Sequence, residues 1–315
     1  HKERMYQLLS LAEMANCNTL RIWGESEVLP DEFYEECDRR GILLWHDFYL
    51  GYNMYNEEEH MLELYREEAV WLVNRLKHHP SILMWCGGNE VLLSRDFQYP
   101  GAYCYGEKIF KKIYPEICEN LDPDRYYHIN CPSGGEWAND PREGDSHGYT
   151  HQWYVPGVKY PVFLSENARF SAPQLKTMRR MMEESELWPS GYTGQNTRKN
   201  RLPWPRSWEE HSCGEQGIKV GPVEHYYDAD DAEALIHNLG ASYSEYIKYD
   251  VERIRRGEAD DSLMGKRRTK GHFLWKLNNC CNLISYGVID YFNEPQMAYY
   301  ALKRACLLYT SDAAD

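Results

Sequence analysis

The sequence predicts an α/β fold of parallel strands, a (β/α)8 TIM barrel that lacks its first strand. Three observations carry this expectation. Amphipathic helical stripes and short apolar runs alternate from residue 2 to residue 304. The chain opens on a helical pattern and offers seven strand candidates, one fewer than a closed barrel needs. Several apolar runs end in polar side chains, the arrangement of a barrel whose working residues line the C-terminal mouth of its strands.

Met5, Leu8, Leu9, Leu11 and Met14 form the first helical stripe, and Thr19-Leu-Arg-Ile-Trp23, stopped by Gly24, reads as the first strand. Pro30 to Arg40 is a helix opened by proline and closed by Gly41, and the apolar run to Phe48 is a buried strand. Glu57 to His79 carries Leu62, Tyr65, Ala69, Leu72, Val73 and Leu76 on one face, and Pro80 ends it. Ser81-Ile-Leu-Met-Trp-Cys86 runs as a strand into Gly87-Gly-Asn-Glu90. A helix over 107–121 precedes strands at 126–130 and 145–149, and Pro161-Val-Phe-Leu-Ser-Glu166 is the next strand. The Pro- and Gly-rich stretch 188–223 reads as a surface excursion. A helix over 232–256, a last strand at 271–278 and a helix over 294–305 complete the pattern.

Composition narrows the function classes. Lys and Arg total 35 against 49 Asp and Glu, a formal charge of -14, which argues against a nucleic-acid partner. No run reaches the roughly 18 apolar residues of a membrane span. The 10 cysteines lack CxxC spacing, and HExxH, GxSxG and phosphate-cradling glycine loops are missing, so neither a metal nor a cofactor is expected. Residues 306–315, ending LLYTSDAAD, break the pattern and are expected to be a non-native tail, leaving 1–305 as the barrel domain.

Among the polar strand ends, Glu90 and Glu166 stand out because each follows an apolar run directly. Two carboxylates facing one pocket are what glycoside cleavage needs: one protonates the leaving oxygen, and the other attacks C1 or activates water. Taken singly, a Glu at such a place also caps a helix or pairs with an arginine. Trp23, Trp153 and Trp275 are candidates for stacking on a sugar face, though an indole equally fills a core. His46 and Asp47 are candidates to hold sugar hydroxyls or to orient the rim.

The ordered set Arg21-Ile-Trp-Gly, Asp31-Glu-Phe-Tyr with Cys37-Asp-Arg-Arg-Gly-Ile, Trp45-His-Asp-Phe, His78-His-Pro-Ser-Ile, Trp85-Cys-Gly-Gly-Asn-Glu90, Ser165-Glu166, Ile289-Asp-Tyr and Ala298-Tyr-Tyr-Ala-Leu-Lys-Arg resembles glycoside hydrolase family 2, most closely its β-mannosidase-like branch. The resemblance implies a retaining exo-β-glycosidase acting on β-mannosides or other terminal β-linked sugars, with Glu90 as acid/base and Glu166 as nucleophile. It implies that Asn89 hydrogen-bonds the sugar 2-hydroxyl and that Tyr149, within Asp145-Ser-His147-Gly-Tyr149, donates to Glu166. It also implies β-sandwich domains ahead of the barrel in the parent chain. An apolar setting near Trp85 is expected to keep Glu90 protonated. Gly88, His46 and Asn167-Ala168 depart from that branch's usual residues and are expected to touch the pocket floor. A non-catalytic sugar-binding barrel, a β-galactosidase or β-glucuronidase specificity, and an endo-acting mannanase are the competing readings.

Overall fold

A computed structural model of the chain describes residues 2–148, 161–193, 204–213, 229–255 and 269–307. Tyr149 and Trp153 lie outside the described residues, as does the tail from residue 308 onward. The elements are α1 (Lys2–Met14), β1 (Thr19–Ile22), α2 (Asp31–Arg40), β2 (Leu43–Asp47), α3 (Glu59–Leu76), β3 (Ile82–Cys86) and α4 (Val91–Gln98). A π-helical turn (Ile109–Ile113) leads into α5 (Tyr114–Leu121), followed by β4 (Tyr126–His128), β5 (Ser146–Gly148) and β6 (Leu164–Asn167). Then come α6 (Leu175–Met178), α7 (Glu184–Leu187), α8 (Ala232–Arg255) and α9 (Met297–Ala305).

Among the described residues the strand ladders are parallel, as the alternation of helix and strand requires, and the antiparallel contacts are isolated bridges such as Ser171 with Ser285. β1, β2, β3 and β4 form one sheet in chain order, and β5 pairs with β6. Among the described residues β1 pairs only with β2.

The pleat sorts side chains into two layers. Leu44, Ile82 and Trp85 face the helices, where they pack with Phe33, Tyr34, Phe48, Ala69, Leu72, Val73, Leu76 and Tyr114. Trp45, Met84, Cys86 and Cys131 face the other way and join Phe163 and Phe273 as the barrel interior. A register shift between Leu44 and Trp45 leaves Leu83 as the extra residue, so Met84 and Cys86 stay in phase with Trp45 and Asp47. Each Leu or Val that α3 buries contributes roughly 1.5–3 kcal/mol, which fixes this helix more firmly than its backbone propensity would.

Two elements differ from what the sequence predicts. Helix α4 follows Glu90 directly, in a stretch the periodicity does not assign. Residues 271–278 do not form a regular strand. Phe273 and Trp275 donate to Leu164 and Asn167 of β6, whereas Lys276 and Leu277 accept from Val288 and Ile289, so the segment changes partner halfway. The described part of the excursion is exposed at Ser190, Gly191, Thr193, Arg206, Glu210 and Cys213 but anchored by Trp204 and Trp208, which are fully buried beside Phe170 and Tyr286, with Trp208 Nε1 donating to the Leu187 carbonyl at 3.2 Å.

Close backbone approach at the mouth depends on glycine. A Cβ on Gly24 would lie 2.3 Å from the Leu50 carbonyl oxygen and 2.9 Å from the Asn89 nitrogen, both main chain and unable to yield. Gly41, at φ +70 in the cap of α2, has nothing within 4 Å of its Cβ position. Gly24→Ala is therefore expected to cost about 3 kcal/mol or more of unfolding free energy, and Gly41→Ala about 1 kcal/mol. Urea titration of both variants checks this; equal losses would contradict it.

Candidate active site

Period-two alternation puts Arg21 of β1 in register with Trp45 of β2, facing the interior, where its guanidinium lies 5.8 Å from the Trp45 ring centroid. Its Nη1 donates to Glu166 Oε1 at 2.6 Å, and its Nη2 donates to Asp47 Oδ2 at 2.6 Å and Asn89 Oδ1 at 2.8 Å. Its Nε donates to Asp47 Oδ1 at 3.2 Å, and the same oxygen accepts from Trp45 Nε1 at 2.9 Å. Burial disfavours the guanidinium charge, yet the carboxylates of Asp47 and Glu166 outweigh it and hold Arg21 protonated, well above its usual range.

Glu90 enters from the end of β3. Its N–H donates to the Cys131 carbonyl at 2.6 Å, Asn89 N–H donates to Leu50 O at 2.7 Å, and Glu90 itself sits at φ 54 as the N-cap residue of α4. Left-handed backbone on a non-glycine residue costs on the order of 1 kcal/mol. Two fixed main-chain bonds and the start of a helix hold it there. The Asn130 carboxamide joins the two loops, donating to Gly88 O and accepting from Leu92 N–H.

Glu166 enters from β6, opposite His147 in the β5–β6 register. A register shift between Ser146 and His147 makes Ser165 the extra residue. Ser165 Oγ reaches Asp145 Oδ2 while Glu166 still reaches Arg21. His147 stands between the two glutamates: its Nδ1 is 2.6 Å from Glu90 Oε1 and 3.5 Å from Glu166 Oε2. Burial alone would favour neutral imidazole, but Glu166 and then Glu90 raise its pKa above the ordinary value, against a smaller opposing effect of Arg21. Facing carboxylate oxygens of Glu90 and Glu166 lie within 4.8 Å of each other.

The ligand-type atoms of Glu90, His147 and Glu166, and those of Cys131, Asp145 and His147, are each within 4.8 Å of one another. The 2.6 Å Nδ1–Oε1 contact is shorter than the separation of about 3.3 Å that two ligands of a tetrahedral zinc ion would keep. These atoms are arranged as hydrogen-bond partners.

Of the residues singled out in the sequence, Glu90, Glu166, Asn89 and Asp47 converge on this network. Trp23 and Trp275 meet each other, ring centroids 4.7 Å apart at 63°, with the Trp275 N–H bonded to Asn167 O beside Glu166. His46 does not join them. Its Nε2 meets Tyr34 Oη at 3.0 Å and its Nδ1 the Asp47 carbonyl at 2.8 Å, in the helix layer, because it is one pleat out of phase with Asp47. Trp85 faces the same layer, donating to Asp122 Oδ2 at 2.9 Å, so His147 rather than an indole is the neighbour of Glu90. Asn167 is not on the pocket floor: its carboxamide bonds Asp250 and Tyr246 of α8.

Arg21 and His147 are the site residues that sequence reasoning did not name for themselves. A cation inside an otherwise apolar strand, and a His in phase with a strand-end Glu, were the available signals.

Two outcomes follow. Arg21→Met leaves Asp47 and Glu166 buried with no cation between them, and is expected to cost about 3–5 kcal/mol in chemical denaturation. A loss under 1 kcal/mol would contradict the network. Burial lowers the His46 pKa to about 4. Between about pH 6.5 and pH 4 the unfolded chain therefore binds a proton that the folded chain does not, and stability falls as pH falls. His46 is expected to contribute about 2 kcal/mol of loss between pH 7 and pH 5, absent in His46→Gln. An identical pH dependence in the variant would refute the assignment.

Comparison with known proteins agrees with this geometry. Residues 30–140 match the TIM barrel domain of glycosyl hydrolases family 2. The chain is 30% identical to β-mannosidase B of Aspergillus clavatus, over 90% of the chain and 34% of that protein. Among solved structures it is similar to a β-D-mannosidase from Dictyoglomus thermophilum, with a TM-score of 0.83 and 28% identity over 97% of this chain and 36% of that one. The exo-chitosanase of Amycolatopsis orientalis, at 17% identity, a TM-score of 0.70 and coverage of 97% of this chain and 35% of that one, shares the fold. The chain spans about a third of the length of the curated relatives it matches. Residues 30–140 thus match the TIM barrel domain of glycosyl hydrolases family 2, and the chain is similar over most of its length to β-mannosidases.

Proposed function

We propose that this chain is the catalytic barrel of a retaining exo-β-glycosidase that removes terminal β-mannosyl residues by double displacement. Glu90 is the acid/base and Glu166 the nucleophile. The observation that carries this reading is the approach of the two carboxylates to within 4.8 Å at their facing oxygens. So close an approach of the nearest oxygens is compatible with the carboxyl separation of about 5–5.5 Å that retaining enzymes keep.

The surroundings support the division of roles. Glu166 is almost fully buried and accepts a bond from the Arg21 guanidinium, a setting that favours an ionised nucleophile. The Glu90 side chain, 20% exposed, has His147 as its immediate neighbour and can accept or release a proton at the pocket side. Asn89 gives its oxygen to Arg21, which leaves its NH2 group to meet a sugar hydroxyl. Trp23 and Trp275 supply apolar ring surface beside the carboxylates.

The preference for mannose rests on similarity to proteins named β-mannosidase. Tyr149 and Trp153 are proposed as further substrate contacts. The domain assignment is residues 1–305 as barrel, preceded in the full-length protein by β-sandwich domains, with 306–315 as a non-native tail.

A panel of aryl β-glycosides, assayed on the full-length protein, tests the proposal. The β-mannoside is expected to turn over fastest, and Glu166→Ala to lower kcat by about three orders of magnitude or more. Unchanged turnover in Glu166→Ala would overturn the nucleophile assignment.

A further inference from the structure

Behind the carboxylates, His147 continues into a buried chain of hydrogen bonds. Its Nε2 lies 3.3 Å from Cys131 Sγ, and Cys131 Sγ lies 3.0 Å from Asp145 Oδ2. Asp145 is saturated as an acceptor. Oδ1 takes His128 Nε2 at 2.7 Å and the Ser133 N–H at 2.8 Å, while Oδ2 takes Ser165 Oγ at 2.5 Å and the Cys131 thiol. Burial would raise the Asp145 pKa, but the bond and charge of His128, then His147 and Ser165, hold it down to about 2. Burial pushes the Cys131 thiol well above its ordinary range, so it keeps its proton.

A thiol has one proton to give. An ionised carboxylate is a stronger acceptor than a neutral imidazole nitrogen, so Cys131 donates to Asp145. Its sulfur can then only accept from His147, which requires a proton on Nε2. With Nε2 protonated, the 2.6 Å contact between Nδ1 and Glu90 Oε1 is a bond only while one further proton lies on it. That proton sits either as Glu90 O–H donating to Nδ1 or as imidazolium N–H donating to the Glu90 carboxylate.

We propose that Asp145 and Cys131 fix the tautomer of His147, and that His147 and Glu90 thereby form a one-proton unit whose proton is the one delivered to the glycosidic oxygen. His147 acts as a positioning residue through Glu90. This deepens the glycosidase reading and rests on it. In the first step the shared proton passes to the leaving oxygen as the C1–O bond breaks and the Glu166–C1 bond forms. The bare Nδ1 lone pair then faces the Glu90 carboxylate at hydrogen-bond distance, which makes the pair a stronger base. In the second step water gives its proton to the pair, its oxygen bonds to C1, and Glu166 is released. Among the described residues, the charged and titratable groups around His147 are Glu90 from the β3 end, Glu166 from β6, Arg21 from β1, Cys131 after β4 and Asp145 before β5.

Two measurements test it. In 15N-histidine NMR of the unsubstituted chain, His147 is expected to keep Nε2 protonated across the folded pH range while Nδ1 titrates; a bare Nε2 with a protonated Nδ1 overturns the proposal. In kinetics of the full-length enzyme, His147→Asn replaces a proton acceptor with a group that favours ionised Glu90. The basic limb of kcat/KM is expected to fall by at least one pH unit. The kcat/KM of substrates with poor leaving groups should fall at least tenfold, while that of dinitrophenyl glycosides, whose leaving group departs without protonation, falls under threefold. Equal losses on both substrates with an unmoved pH profile overturn it. Glu90→Ala serves as the control: if that variant also treats both substrates like wild type, the acid/base reading itself fails, whereas an impaired Glu90→Ala beside an unmoved His147→Asn profile sinks only the role of His147.

Discussion

The buried guanidinium of Arg21 is the constraint on which the site depends. It rises from β1 and binds Asp47 from β2, Asn89 from the β3 end and Glu166 from β6, so four strand ends meet on one planar group. Lysine could not do this, because the contacts use the fixed fork of Nε, Nη1 and Nη2. A buried cation with two carboxylates leaves an unbalanced negative charge, and His147, drawn toward its charged form by Glu166 and Glu90, offsets it. Charge balance and site geometry are thus one arrangement: the group that orients Glu166, the proposed nucleophile, also fixes Asn89 beside Glu90, the proposed acid/base.

Two irregularities aim these side chains. The extra residue in β3 keeps Cys86 in phase with Asp47, and the extra residue near Ser165 lets that serine serve Asp145 while Glu166 faces His147. Glycines without room for a Cβ, Gly24 and Gly88 against Leu50, allow the loops after β1, β2 and β3 to close on one another. Helix–sheet packing around Trp85, Phe48 and Tyr114 supplies the rigid wall from which they project.

Much of this was legible in the sequence. The alternation of elements, the helix at 57–79 and the strand-end carboxylates follow from period and punctuation alone. What escaped was orientation. His46 and Asp47 are adjacent in sequence, and the pleat sends one to the helix layer and the other to the mouth. Asn167 is separated from Glu166 in the same way. Applied strictly, the period of two would have placed His46 outside, but the register shift in β5–β6 is set by tertiary pairing and leaves no local signal. The family resemblance points to Tyr149, which lies outside the described residues, whereas His147 is the residue in phase with Glu166. Residues 271–278 have the composition of a strand, and only the long-range choice between β6 and residues 288–289 prevents a ladder.

Double displacement, as proposed, requires Glu166 to form a covalent bond to the sugar while Glu90 manages the proton. The most direct measurement is trapping with a 2-deoxy-2-fluoro-β-mannosyl fluoride, whose fluorine slows release of the intermediate, followed by proteolysis and mass spectrometry of the full-length protein. A single fluorosugar is expected on the peptide that contains Glu166. A label on another carboxylate, or steady consumption of the reagent with no label while the product emerges with inverted configuration, would contradict it.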